Sequence, residues 1–274
     1  MNADNDFQIG NSHITCEDYS LSGVKTDGSG AFIVVSDGCS ASQDVDFGSR
    51  LLCLSTRELL SKLDKDYFKK RTDPLAYADF GSQIIQRANM IPPLFPLLSN
   101  GALDATLLVG WVEGDTLRVY MYGDGLFLHK TKDGIHAIHL SFDNNAPSYL
   151  SYWLDNKRKD GYLKMGGKKE IHNCILVDGK ETTTNITKVD PFEPVVVDKK
   201  VEPGDVIAVC SDGVGSFKNS EYTPIPWQEL VGEYIGYKGF EGAFAKRRFA
   251  AFRRKCQKEG ITHHDDISIA TMVI

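Results

Sequence analysis

Two stretches of this chain carry no polar residue where a half-wetted strand would need one. Ala31-Phe32-Ile33-Val34-Val35 and Val206-Ile207-Ala208-Val209-Cys210 are unbroken apolar runs rich in β-branched side chains. A strand with one face in water alternates apolar and polar residues, so a run without alternation is a strand covered on both faces. Both runs stop in the same way, at Ser36-Asp37-Gly38 and at Ser211-Asp212-Gly213. Each rigid, buried strand therefore ends on a carboxylate. Small residues follow, Cys39-Ser40-Ala41-Ser42 in one case and Val214-Gly215-Ser216 in the other. They leave room for a ligand and its water.

The remaining pattern supplies the covering layers. Strands are expected at 18–24, 105–112, 116–122, 126–129, 135–140, 195–197 and 267–274, separated by Asp-Gly, Gly-Asp and similar turn dipeptides. Those at 105–140 read as an antiparallel meander. An apolar stripe of Phe47, Leu51, Leu52, Leu54, Leu59, Leu60 and Leu63 predicts a helix over 47–63. A second helix over 76–90 ends before Pro92-Pro93. Helices over 227–234 and 241–258 form another pair. The opening residues read as a short polar lead. Residues 144–184 are polar, glycine-dotted and weakly periodic, and read as a long insertion over the surface. Strands in series with two separated helix pairs predict an α+β fold with helices packed on sheet.

Composition narrows the class. The 274 residues carry a net charge of −6, with 31 Lys+Arg against 37 Asp+Glu, which speaks against nucleic acid or an anionic membrane as the main partner. No stretch reaches the ~18 apolar residues of a membrane span. The N-terminus has neither the basic nor the apolar region of a signal peptide, and the chain ends on its last strand with no appended anchor visible. Cys16, Cys39, Cys53, Cys174, Cys210 and Cys256 are scattered without a C-x-x-C pair, so a reduced, cytoplasmic protein is expected.

The acids recur at strand ends. Besides Asp37 and Asp212 there are Asp124 after the 116–122 strand, Asp265-Asp266 before the last strand, and Glu17-Asp18 before the first. Carboxylates gathered on one rim repel unless cations neutralise them, and all-oxygen clusters suit hard ions such as Mg²⁺ and Mn²⁺. Asp27-Gly28, Asp133-Gly134 and Asp178-Gly179 read as plain turns.

An ordered set of blocks resembles the metal-dependent protein phosphatases of the 2C type, in their divergent bacterial branch. These blocks are Gly10-Asn11-Ser12-His13 through Cys16-Glu17-Asp18, Val34-Val35-Ser36-Asp37-Gly38, Asp104-Ala105-Thr106-Leu107-Leu108-Val109 with Tyr122-Gly123-Asp124-Gly125, Asp205 through Gly213, and His264-Asp265-Asp266-Ile267-Ser268-Ile269. The resemblance implies one catalytic domain over 1–274, built as a four-layer α-β-β-α sandwich of two antiparallel sheets flanked by helix pairs. Residues 144–184 fall where the family carries a variable flap. It implies two Mn²⁺ or Mg²⁺ ions and a weaker third site. Asp37 would bridge the ions, with the Gly38 carbonyl on one of them. Asp212 and Asp265 would complete the shell of the first ion. Glu17 or Asp18 would serve the second ion, and Asp124 with Asp212 the third. Phosphorylated Ser/Thr proteins are the implied substrates, and a cognate kinase the implied counterpart.

Asp37 and Asp212 would position the nucleophilic water, and His13 or a bound water would protonate the leaving alkoxide. His13 stands where many relatives have a phosphate-gripping Arg. Asp266 replaces the usual Asn, and Gly125 the usual Ser. Loss of the Arg removes bidentate phosphate recognition. It leaves a second reading open, a phosphatase-like binding or regulatory module with weak or no turnover. The basic cluster Lys246-Arg247-Arg248 with Arg253-Arg254-Lys255 reads as a solvated helix face over Phe244, Phe249 and Phe252.

Overall fold

The computed structural model describes residues 1–62 and 74–274. Leu63, expected as the last apolar position of the first helix, lies outside the described residues. The strands are β1 (Asn2–Gln8), β2 (Tyr19–Val24), β3 (Gly30–Ser36), β4 (Leu107–Glu113), β5 (Thr116–Tyr122), β6 (Gly125–Thr131), β7 (Gly134–Phe142), β8 (Lys169–Val177), β9 (Lys180–Val189), β10 (Val195–Lys200), β11 (Val206–Cys210), β12 (Phe217–Lys218), β13 (Thr262–His263) and β14 (Ile267–Val273). The α-helices are α1 (Val45–Lys62), α2 (Pro74–Ala88), α3 (Asn156–Lys164), α4 (Trp227–Ile235) and α5 (Phe244–Glu259). Two large antiparallel sheets result, one ordered β1-β14-β11-β6-β7-β8-β9 and the other β10-β5-β4-β3-β2.

Three apolar clusters show why the two signal strands lack polar residues. Ile33 and Val35 of β3 meet Ile207 and Val209 of β11 and Ala270 and Met272 of β14 between the sheets. Val34 points the other way, onto Leu52, Phe80 and Ile84 of α1 and α2. Ala208 and Cys210 likewise face Leu230, Tyr234, Phe249 and Phe252 of α4 and α5. Successive side chains on a strand alternate faces, so each sheet here has one face on its twin and one on a helix pair. The result is the four-layer α-β-β-α order, and it buries antiparallel strands on both sides.

Three expectations need correction. The opening residues are not a lead but an edge strand, β1, paired with β14 along its whole length. Its polar residues suit an edge, with Met1 and Ala3 packed on the inter-sheet core and the Asp4 carboxylate accepting the Ala245 N–H at the start of α5. The segment 105–140 is not one meander. β4 pairs with β5 and β6 with β7, but β5 and β6 lie in different sheets, so the chain crosses between layers at Gly123-Asp124. Residues 144–184 are more regular than their composition suggests: they contain α3, all of β8 and much of β9, and β8 and β9 extend the larger sheet. Among the described residues no helix is long and apolar enough to cross a membrane.

Candidate metal centre at the sheet rim

Strand ends from both sheets converge on one rim. Asp37 leaves β3 and is fixed by its backbone: its N–H donates to Thr106 Oγ1 (3.1 Å), and its carbonyl accepts from Thr106 N (2.8 Å). The Gly38 N–H donates to the Glu17 carbonyl (3.2 Å), and Gly38 bridges Ala105. Asp18, at the start of β2, is 2% exposed, and its Oδ2 accepts from Ser211 Oγ (2.6 Å). That hydroxyl also accepts from Ser268 N (2.9 Å), so Ser211 ties β2 to β11 and β14. Asp212 opens a 3₁₀ turn, Asp212–Gly215, which the Tyr234 hydroxyl anchors through the Val214 carbonyl (2.9 Å).

Asp124 sits at the crossing between the sheets, buried, between Gly123 at φ 93° and Gly125 at φ 127°. Both angles lie where L side chains are strained, and a Cβ on Gly125 would stand 2.7 Å from the Cys210 carbonyl. In this chain glycine stands on each side of the crossing's carboxylate, and at the Gly125 angle observed here a Ser would be strained.

These acids form one electrostatic unit. Asp37 lies within hydrogen-bonding reach of both Asp18 and Asp212; burial, then the charges of those two neighbours, pushes its carboxyl well above the ordinary range. Burial, then Asp212 and Asp265, does the same to Asp124. Burial pushes Asp18 up to about 7 against the hydrogen bonds that stabilise its charge. Asp265 is raised by burial and by Asp212. Carboxylates this crowded, with Asp18 and Asp124 buried among them, cannot all ionise without positive charge beside them. Asp18 Oδ1 and Glu17 Oε2 are buried and lack any hydrogen-bond partner. An oxygen-only donor set with orphaned, inward-facing carboxylate oxygens fits hard divalent cations.

The structure separates the Glu17-Asp18 pair. Asp18 enters the carboxylate cluster, whereas the Glu17 side chain lies 4.0 Å from His13 Nδ1. His13 itself turns to the last strand, with Nδ1 2.9 Å from Asp266 Oδ2 and Nε2 3.4 Å from Asp265 Oδ1. Burial lowers its pKa, but the Asp266 hydrogen bond and the charges of Asp266, Asp265 and Glu17 outweigh this and leave it raised. The Asp266 carboxylate also accepts the Gly10 N–H (2.6 Å) and the Glu17 N–H (2.5 Å). Asp in place of Asn thus supplies a charge that holds both the opening loop and His13.

Residues outside the expected set also line this region. Ser211 and Ser268 flank the carboxylates; Ser211 is the neighbour of Asp212 in sequence, and a buried hydroxyl beside a strand-end Asp is the signal that would have marked it. Tyr149 reaches the Cys39 thiol and lies near Asp124 and Asp37. Arg158 of α3 grips the buried Asp104 carboxylate with both Asp104 oxygens in reach (2.9 and 2.7 Å), and Ser151 Oγ adds a third bond (2.6 Å). Because Cys39 N donates to the Asp104 carbonyl (2.8 Å), the 144–165 segment is fastened to the loop after Asp37. No local sequence pattern announces that long-range pair. His263 pairs with Phe217 in the short β12–β13 ladder just before the last strand.

Comparison with known proteins follows this geometry. No curated protein matches the sequence. Among solved structures, a serine/threonine phosphatase of S. agalactiae superposes with a TM-score of 0.57 at 13% identity, over 99% of each chain. PppA of Pseudomonas aeruginosa, described as a regulatory component of T6SS, gives 0.54 at 17% over 99% of this chain and 97% of its own. The catalytic domain of the serine/threonine phosphatase PstP, solved with two manganese ions, gives 0.52 at 14% over 98% and 96%. At such identities the likeness establishes the fold. The family profile described as Protein phosphatase 2C matches residues 9–246, a span that holds both apolar strands and every strand-end carboxylate except those of the last block. The chain belongs to the protein phosphatase 2C family.

Proposed function

We propose that this protein is a metal-dependent serine/threonine protein phosphatase that uses Mn²⁺ or Mg²⁺. The observation that carries the reading is the cluster of Asp18, Asp37, Asp124 and Asp265 around Asp212, the four raised by burial and by the charges of their neighbours. Asp37 at the centre, with the Gly38 carbonyl, Asp212 and Asp265, would hold one ion. Asp37 and Asp18 would hold the other, with Glu17 facing it through water. Asp124 with Asp212 forms the weaker third position. Two such ions supply a water of lowered pKa and positive charge facing the phosphoryl oxygens.

The chain's own groups do the rest. Ser211 holds Asp18 by one oxygen and leaves the other, buried one without a hydrogen-bond partner, while Thr106 and the Glu17 carbonyl fix the angle at which Asp37 enters. Asp37 and Asp212 orient the attacking water in line with phosphorus. His13, whose pKa Asp266 and Asp265 raise, would offer an N–H to the phosphate or to the departing serine or threonine oxygen. It is a weaker clamp than a bidentate Arg. The substrate is a phosphorylated Ser/Thr protein, and residues 144–184 act as a flap anchored through Arg158–Asp104. A cytoplasmic site of action, opposite a kinase, fits this chemistry.

The test is Mn²⁺-dependent release of phosphate from p-nitrophenyl phosphate and from a phosphothreonine peptide. Asp37→Ala and Asp212→Ala should each lose activity by two orders of magnitude or more, on the scale of other catalytic-group deletions. Full activity in either variant refutes the two-ion reading. Intact Mn²⁺ binding without turnover in the unmodified chain would instead favour a binding module.

A further inference from the structure

We propose that the chain carries a second, chemically different metal centre, for a Zn²⁺-class transition ion, at the β8–β9 edge of the larger sheet. His172 Nε2, Cys174 Sγ and a Glu181 carboxylate oxygen lie within 4.8 Å of one another. His172 Nε2 is already 3.0 Å from Glu181 Oε1. Zinc bonds of about 2.0–2.3 Å place tetrahedral ligand atoms roughly 3.3–3.8 Å apart, so only a small contraction is needed around an ion.

The backbone builds this arrangement. His172 and Cys174 are alternate residues of β8 and share the face toward α4. Glu181 joins them through a register shift: Ile175 pairs with Thr183, but Leu176 pairs with Glu181 rather than with Thr182. Such an irregularity re-aims a side chain. Here it brings an acid onto a face whose other occupants, Cys174 and Leu176, are buried and apolar in character. Gln228 at the start of α4 donates from Nε2 to Glu181 Oε2 (3.3 Å), the outer hydrogen bond that a ligating carboxylate commonly has. His139 stands directly across from His172, and both rings lie against Trp227, with centroids 5.7 and 6.3 Å away. His139 or a water would complete the tetrahedron.

The donor set decides the ion. One imidazole, one thiol and one carboxylate suit Zn²⁺ or Co²⁺, whereas the rim offers oxygen alone. The two centres are thus sorted by softness, and this one stands whether or not the rim is catalytic. Its role is mechanical. All but the last residue of β9 are exposed, so this edge strand brings almost no core of its own. An ion shared by β8, β9 and the Gln228 end of α4 would fasten it. On binding, the Cys174 thiol gives its proton to solvent and coordinates as thiolate.

Titration of the metal-stripped full chain with Co²⁺ tests this. One equivalent should produce a thiolate-to-cobalt charge-transfer band, which Zn²⁺ bleaches by displacement. The band should persist in Asp37→Asn, which disables the rim, and vanish in Cys174→Ser. His172→Asn and Glu181→Gln alter partly exposed positions and should weaken Co²⁺ binding at least tenfold while the far-UV spectrum stays unchanged. If Cys174→Ser does not fold, those two variants decide. Absence of the band, its survival in Cys174→Ser, or unchanged affinity in His172→Asn and Glu181→Gln would overturn the proposal.

Discussion

Gly213 offers a way to disturb the rim without removing any of its carboxylates. A Cβ built there would stand 1.7 Å from the Asp266 carbonyl oxygen and 2.8 Å from its carbon. Carbon and carbonyl oxygen rest at about 3.3 Å or more, so Gly213→Ala must part the two backbones by roughly 1.5 Å. Asp212 immediately precedes Gly213, and Asp265 immediately precedes Asp266. The displacement therefore opens between two carboxylates that would share an ion. Overpacking of this kind costs about 1–3 kcal/mol of stability. A misplacement of ~1 Å at a reacting centre costs about a hundredfold in rate. Gly213→Ala should thus remain folded, bind Mn²⁺ more weakly by calorimetry, and lose about two orders of magnitude in kcat/KM on p-nitrophenyl phosphate. Gly215→Ala is the control, because a Cβ there meets nothing within 4 Å. Wild-type Mn²⁺ affinity and turnover in Gly213→Ala would refute the claim that this close approach sets the geometry of the site.

Two further outcomes follow from the same structure. Relative to the protein in saturating Mn²⁺, the protein in chelator should lose stability as pH rises from about 6.5 to 8. The folded Asp18 has its pKa raised to about 7 and binds a proton that the unfolded carboxylate has already lost, which amounts to a loss on the order of 1 kcal/mol over that window. His129, His136, His139 and His263 have lowered pKa values and pull the opposite way over the same rise, by up to about 0.4 kcal/mol each above pH 6.5, and they do so with or without metal, so the difference between chelator and Mn²⁺ isolates the acids. Urea midpoints in chelator should fall away from those in saturating Mn²⁺ as pH rises; a pH-independent difference between the two would contradict the cluster. On α5, Phe249→Ala should cost about 3–5 kcal/mol in denaturant unfolding, because Phe249 is buried and stacks on Tyr234 at 5.9 Å. Arg254→Ala on the exposed face should stay within about 0.5 kcal/mol. Equal effects would mean that the basic cluster is not a solvated face.

The two unbroken runs, β3 and β11, carried most of what the sequence could say, because strands covered on both faces leave no other pattern. The strand-end Asp residues were equally legible, since their placement depends only on local chain order. What escaped notice depends on distance. β1 looked like a polar lead because an edge strand draws its pairing from β14, at the other end of the chain. The split of the 105–140 strands between two sheets turns on the φ values of Gly123 and Gly125, and a Gly-Asp-Gly turn reads like any tight hairpin. The regularity of residues 144–184 comes from pairing with β7, not from periodicity of their own. Glu17 and Asp18 are equivalent candidates in the sequence, and Ser211, which holds Asp18 beside the other carboxylates, lies across the fold.

The rim draws Asp18 and Asp37 from one sheet and Asp212 and Asp265 from the other, with Asp124 on the strand crossing that joins them. The two layers of the sandwich therefore meet along a seam of like charge at one end, while oil holds them together everywhere else. Divalent ions seated there would act as rivets through both plates. The same ions that equip the chain for chemistry would set how far this end breathes, and amide exchange at 36–38 and 210–212 would rise and fall with free cation concentration. Under the proposed function, such a protein would feel its ionic surroundings through its architecture as well as through its turnover.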